Sequence, residues 1–349
     1  MFAESAQRVG TGDSLAHSGQ SRGGWSLAFV AILVVLSVVS LGAGVRAVPL
    51  SAISDALLAT DLNNPDHIVI LEMRVPRLIG ALLIGASLAM AGAIMQIVTR
   101  NPLADPGLFG VNAGASMAVV LSIWGAGISA TGMFIWPAMA GAFVVSIAVY
   151  GLANLGQGGA SPLRMALAGA AVSSFLLALV RGVLLVSQQT LETYRFWVVG
   201  SLQGVKPEIL LQLWPFFAVG FLACLILGRW LNALSLGEDL AKSLGTKMGL
   251  VKGLSLFAVV CLSGGSVALA GPVAFVGLVV PHVARRFSGA DSAWLLLFSA
   301  LLGALFVLSG DILGRIVLEG RELQIGVTVA LVGGPFFVYL IRKTRMMSL

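Results

Sequence analysis

Leu78 to Val98 is a run of 21 residues without a charge, bordered by Arg74-Val-Pro-Arg77 before it and by Arg100-Asn-Pro-Leu-Ala-Asp-Pro-Gly107 after it. At about 1.5 Å per residue such a helix reaches roughly 30 Å, the thickness of a bilayer's hydrocarbon. Comparable apolar runs recur near 25–45, 108–126, 133–154, 163–187, 209–228, 250–270, 273–284, 293–312 and 324–341. A chain built this way folds as a bundle of helices in lipid, because only a helix satisfies its own backbone there. Composition agrees. With 58% hydrophobic and 10% charged residues, a soluble fold would be left with large apolar patches.

The expected fold is therefore all-α, a polytopic membrane protein of about ten transmembrane helices, with nine as the fallback. The run at 273–284 is shorter than the roughly 17 residues of a simple span, and predicts a tilted, broken or re-entrant piece held by protein. Residues 1–24, polar and rich in Gly and Ser, predict a disordered cytoplasmic tail, and 25–349 a single transmembrane domain. The first apolar run exceeds the roughly 7–15 residues of a signal peptide core and lacks a clear basic flank, so it reads as an uncleaved span. Ten spans with a cytoplasmic N-terminus place 13 of the 21 Lys and Arg residues inside and 8 outside. That is the sign the positive-inside rule requires, and it puts the C-terminus in the cytoplasm. The net charge of +6 is scattered between apolar runs, which speaks for this bias and against a nucleic-acid surface.

The spans carry little chemistry. No predicted span has a carboxylate near its centre, where a proton- or ion-coupled carrier usually keeps one. Asp311 comes nearest, four residues before Arg315 on the same helix face, where the two can pair. Gly237-Glu-Asp-Leu-Ala-Lys-Ser243 lacks the second glycine of a phosphate loop and follows no strand, so any ATPase is a separate chain. His17, His67 and His282 are far apart, there is no zinc-type spacing or nucleophile–base set, and Cys224 and Cys261 sit inside apolar runs as core residues. The sequence does not point to an enzyme. Small residues at helical spacing (Gly85, Ala89 and Gly92; Ala166, Ala170 and Ser173) predict close helix packing. Leu234 to Gly245, inside a polar insertion at about 232–247, suits a short helix lying on a partner, with Glu238 and Asp239 complementing its dipole.

Several of these stretches together resemble one family. They are Arg74-Val-Pro-Arg77, the Gly85–Gly92 helix ending in Met95-Gln96, and Arg100-Asn-Pro-Leu-Ala-Asp-Pro-Gly-Leu-Phe-Gly-Val-Asn-Ala-Gly-Ala-Ser116. To these add Leu236-Gly-Glu-Asp-Leu-Ala-Lys-Ser-Leu-Gly245, the run Val267 to His282, and Gly310-Asp-Ile-Leu-Gly-Arg315. The pattern is similar to the permease subunits of ABC importers for ferric siderophores, haem and cobalamin, the FecCD family. The resemblance implies a type II ABC importer permease fold and a pathway shared with a second permease, identical or paralogous. It implies that Arg74, Arg77 and Arg315 receive glutamates of a substrate-binding protein, free or lipid-anchored. Asn101, Pro102 and Leu103 would lie in a cytoplasmic gate. Leu236, Gly237, Glu238, Asp239, Ala241 and Gly245 would form the coupling helix on an ABC ATPase dimer. ATP and Mg would bind on that ATPase, with no metal or cofactor on this chain. The Arg100–Ser116 run and Arg195-Phe-Trp-Val-Val-Gly-Ser-Leu202 look most like ferric-siderophore permeases of the inner membrane. Ser173 and Ser174 are weaker candidates for the pathway wall.

Overall fold

The computed structural model describes residues 13–346 apart from 45–47, 62, 129–130, 156–160, 244 and 319–320. Helix α1 (Asp13–Gly42) begins inside the stretch expected to be a disordered tail, so the helix reaches further upstream than the apolar run; residues 1–12 of that tail lie outside the described residues. A short hairpin of α2 (Leu50–Leu58) and α3 (Pro65–Ile68) leads through a π-helical turn (Val69–Arg74) into α4 (Val75–Val98). Then come α5 (Val111–Ala126), α6 (Ile135–Asn154), α7 (Pro162–Val186), α8 (Gln188–Val198) and α9 (Pro207–Ser235). The short α10 (Glu238–Ser243) precedes α11 (Met248–Ala270), α12 (Val276–Ser288), α13 (Ser292–Ile316) and α14 (Ile325–Met346). Among the described residues there is no strand.

Among the described residues, seven helices are long and apolar enough to cross a membrane: those containing α1, α4, α6, α7, α9, α11 and α13. The other three expected spans are shorter or different in kind. α5 has 16 residues, α12 has 13, and the apolar part of α14 runs from Ile325 to Tyr339. α12 is the broken piece anticipated near 273–284. Its approach, Gly271 to Phe275, is non-helical and ends with Phe275 at a φ of +68°, a conformation that costs a bulky side chain about 1–2 kcal/mol. Non-helical backbone of this kind is tolerated at membrane depth when protein surrounds it, and Gly271 and Val273 are buried.

Burial separates a centre from a rim. In the apolar windows of α11 and of the α3–α4 stretch, 83% and 78% of residues are buried, against 11% in α7 and 17% in α1. In lipid there is little hydrophobic drive between helices, so the centre must be held by close packing and hydrogen bonds. Glycines supply the approach. A Cβ on Gly85 would lie 2.2 Å from the Gly303 carbonyl oxygen, and one on Gly92 would lie 1.9 Å from that of Gly277, locking α4 to α13 and α12. A second set locks Gly114 of α5 to Gly141 of α6 and Gly169 of α7 to the Leu108 carbonyl. The fold thus contains two interlocked groups, α4–α12–α13 and α5–α6–α7, joined in sequence by residues 99–110. Of the small residues expected at packing positions, Gly85 and Gly92 have this use.

Candidate functional site

The N-terminal end of α4 carries the two arginines noted in the sequence, and α13 brings the third beside them. Asp311 and Arg315 sit one turn apart on α13, as the spacing predicted, with Arg315 Nη2 2.7 Å from Asp311 Oδ2. Arg77 takes the other oxygen, its Nε 2.9 Å and Nη2 2.8 Å from Asp311 Oδ1. One buried carboxylate therefore bridges two guanidinium groups. Arg77 also donates through Nη1 to Glu322 Oε2 at 2.6 Å, and Gln203 Nε2 donates to the same oxygen at 3.0 Å. Arg315 donates to the carbonyls of Ser40 and Ala43 at 2.9 and 3.1 Å, and Arg74 to that of Leu41, so both fasten the end of α1. Arg74, Arg77, Arg315, Gln203 and Glu322 line a cavity of about 400 Å³.

Arginines that receive a docking protein's glutamates are expected to stand exposed, but Arg74 and Arg315 are only 7% and 4% exposed. The reason is local: the π-helical turn swings Arg74 under α1, and Asp311 draws Arg315 and Arg77 inward. Glu322 lies in the connection between α13 and α14. Burial alone would raise its pKa, but hydrogen bonds from Arg77 and Gln203 and the charges of Arg77 and Arg315 outweigh that and hold it below the usual glutamate range.

At the other end of α4, Arg100 takes a φ of +49° and the chain turns sharply. Asn101 Oδ1 accepts from the Leu103 N–H at 2.9 Å, an Asx turn that presents Asn101, Pro102 and Leu103 on the surface. Asp105 Oδ1 accepts from the Gly107 N–H at 2.8 Å and caps the 3₁₀ turn Pro106–Phe109. Burial pushes the Asp105 carboxyl up, and the Gly107 hydrogen bond pulls it part of the way back. This turn rests on the start of α12. A Cβ on Gly277 would lie 2.8 Å from Pro106 Cδ and 3.3 Å from Asp105 Oδ2. Gln96, one turn before the loop, donates to the Gly277 and Leu278 carbonyls at 3.2 and 3.3 Å and accepts from Arg285 Nη1 at 2.8 Å.

The 236–245 stretch expected to couple to an ATPase contains α10, a helix of six residues. Glycines bound it, Gly237 at a φ of +125° and Gly245 at +81°, where an L side chain would be strained. Its two faces differ. Ala241 is fully buried and Glu238 pairs with Lys252 of α11 at 2.8 Å, while Leu236, Asp239 and Leu240 are exposed. Glu238 thus fixes α10 to its own chain. The turn after α4 and the start of α10 are neighbours, since Arg100 Nη2 lies 3.8 Å from the position of a Gly237 Cβ. Ser173 Oγ lies 3.6 Å from the Cβ position of Gly110, whereas Ser174 is exposed on the sparsely covered α7.

The arrangement has a clear parallel in known proteins. Residues 32–343 match the profile of the FecCD transport family. The chain belongs to that family. A probable siderophore transport system permease protein, YfiZ of Bacillus subtilis (strain 168), is 41% identical over 278 residues, covering 80% of this chain and 84% of YfiZ. The ferric enterobactin transport system permease protein FepD of Escherichia coli (strain K12) is 40% identical over 316 residues, covering 90% and 94%. A solved metal-chelate type ABC transporter in an inward-facing conformation superposes with a TM-score of 0.80 at 30% identity, covering 92% of this chain and 99% of that one. This FecCD chain is a multi-pass membrane protein, and its relatives are transport permeases rather than enzymes.

Sequence reasoning missed Glu322, Gln203, Gln96, Arg285 and Lys252, the partners of residues it named. Glu322 and Gln203 lie in connections between apolar runs, and nothing in their immediate surroundings points 245 or 119 residues along the chain. Gln96 is a polar residue inside an apolar run, a signal that it needs buried partners.

Proposed function

We propose that this chain is the permease subunit of an ATP-driven importer that moves ferric siderophore across the cytoplasmic membrane. A substrate-binding protein delivers the chelate, a second permease completes the pathway, and a separate ABC ATPase dimer, holding ATP and Mg, drives the cycle. Both termini lie in the cytoplasm, ten helices span the membrane, and this chain holds no metal or cofactor of its own. The observation that carries the reading is the layout of α4. One end holds three arginines beside an open cavity, and the other leads through the gate loop to a short helix with an exposed apolar and acidic face. Guanidinium groups suit carboxylates on a docking protein, and Leu236, Asp239 and Leu240 suit a groove on an ATPase. Similarity to siderophore and ferric-enterobactin permeases supports the substrate class over haem or cobalamin.

The experiment is co-purification of the tagged chain in mild detergent with mass spectrometry of its partners, followed by docking measurements. Recovery of an ATPase subunit is expected, with either no second permease or a paralogous one. Arg74→Glu with Arg77→Glu is expected to abolish docking of the binding protein. Recovery of the chain alone, with uptake that survives loss of any ATPase and collapses with the proton gradient, overturns the reading in favour of a secondary carrier.

A further inference from the structure

We propose that Glu322 is a built-in placeholder for the binding protein's carboxylate, occupying Arg77 while the permease is undocked and giving it up on docking. The proposal rests on the docking role argued above and specifies how that surface is kept between encounters.

The two carboxylates of the arginine cluster are held very differently. Asp311 is 1% exposed, spends one oxygen on each of Arg77 and Arg315, and grows from the interlocked helix α13. It cannot leave without stranding two buried cations, so it is a permanent part of the surface. Glu322 has 20% of its side chain exposed and sits in a non-helical connection. It reaches Arg77 through one oxygen, Oε2, which Gln203 shares, and it forms part of the wall of the 400 Å³ cavity. Its neighbour Leu323 is pinned, the N–H donating to the Gly314 carbonyl at 2.8 Å. Glu322 can therefore swing as a side chain while the backbone beside it stays put.

That difference in hold explains why exchange is feasible. Arg77 has one carboxylate partner held on both oxygens, Asp311, and one held through a single oxygen, Glu322. A carboxylate entering the cavity meets Arg77 Nη1 only by displacing Glu322. The exchange replaces one charge-assisted hydrogen bond with another of the same kind, so its net gain is small. A docking contact weakened in this way releases its partner after each delivery, which a cycling importer requires. It also keeps Arg77 from being left without its second carboxylate when no partner is bound.

The test uses the full transporter in lipid nanodiscs and a purified, fluorescently labelled substrate-binding protein of the ferric-siderophore class. Glu322→Gln removes the competing charge and keeps the shape. Docking is expected to tighten about fivefold, the value of one rim ion pair. Gln203→Ala, which loosens Glu322 without changing charge, is expected to tighten docking by less. The gain must vanish when Glu322→Gln is combined with Arg77→Gln. Docking that is unchanged or weaker in a monodisperse Glu322→Gln transporter overturns the placeholder, as does a gain that survives Arg77→Gln. If Arg74→Glu with Arg77→Glu abolishes docking while Glu322→Gln gives no gain, the placeholder alone fails. If the double charge reversal leaves docking intact, the docking role itself fails.

Discussion

Gly92→Ala adds a single methyl group where α4 meets α12 backbone to backbone, and its cost follows from geometry. The new Cβ would lie 1.9 Å from the Gly277 carbonyl oxygen and 2.4 Å from the carbonyl carbon and Cα, where ordinary contact begins at 3.4 Å. Both sides of the clash are backbone, so no rotamer change relieves it, and α4 must part from α12 by roughly 1.5 Å, the shortfall between those distances. The Gln96 hydrogen bonds to the Gly277 and Leu278 carbonyls start at 3.2 and 3.3 Å and do not survive that shift. Overpacking costs about 1–3 kcal/mol, and each lost hydrogen bond about 0.5–1.5 kcal/mol. The sum is on the order of 2–6 kcal/mol, which for a chain of this size lowers the melting midpoint by roughly 3–8 °C.

The control is Gly182→Ala on α7, where a Cβ meets nothing within 4 Å and the substitution is expected to be neutral or stabilising by up to about 1 kcal/mol. Melting followed by tryptophan fluorescence in nanodiscs separates the two variants. The same displacement disturbs the contact of Gly277 with Pro106 and Asp105, so on the proposed function Gly92→Ala transporter is expected to hydrolyse more ATP per chelate moved. A Gly92→Ala protein that melts with the wild type, or a Gly182→Ala protein that falls as far, refutes the argument that α4 and α12 are locked by backbone contact.

Asp311→Asn removes the carboxylate between Arg77 and Arg315 and leaves two buried cations facing each other; a loss of roughly 3–5 kcal/mol is expected in thermal unfolding, with docking lost as well. Because the Glu322 carboxyl is held below its usual range, its pairing with Arg77 stabilises the fold at pH above the ordinary glutamate value and is lost as pH falls through the lower folded-state value. The difference in melting midpoint between wild type and Glu322→Gln is therefore expected to be full at pH 7 and to close in strong acid; a gap that widens on acidification contradicts the sign. Leu240→Asp, on the exposed face of α10, is expected to cost ATPase co-purification while changing stability by no more than about 0.5 kcal/mol. Spin labels on Ile79 and Leu313, both exposed and on the same interlocked group, are expected to keep one distance with and without ATP, while Ile79 and Leu185 change theirs; movement in the first pair argues against the two groups.

The helices were legible because their cause is local. An uncharged run such as Leu78–Val98 has one stable form in lipid, and its borders at Arg77 and Arg100 fall within three residues of the ends of α4. What escaped was structure whose cause lies elsewhere in the chain. α8 is polar enough to read as a loop, yet Tyr194 and Trp197 are buried and give it one packed face. α9 runs on to Ser235, past the apolar run that ends near 228, because Leu231 and Leu234 continue its buried face. The three docking candidates were findable by motif, but their burial was not, since it depends on carbonyls at Ser40, Leu41 and Ala43 and on Glu322. Sequence spacing revealed only the one pair on a common helix, Asp311 with Arg315.

The chemistry of the molecule is concentrated at the two ends of one helix, and the physics of the bilayer requires it to be there. Charges within the hydrocarbon are costly, so the arginine–carboxylate cluster belongs at one rim, and the exposed, charged α10 belongs at the other. Between them α4 carries no charge, and its one buried amide, Gln96, ties it to α12. A 24-residue helix locked to its neighbours at Gly85 and Gly92 cannot relay a signal by bending, so its motion is that of the α4–α12–α13 group as a body. The place where that body meets α5–α6–α7 without interlocked backbones is the contact of Pro106 and Asp105 with Gly277, made by side-chain atoms. Parting side chains from a backbone leaves both helix groups intact, whereas parting a glycine lock does not. On the proposed function, that difference makes the loop of Asn101, Pro102 and Leu103, rather than either helix group, the part expected to open.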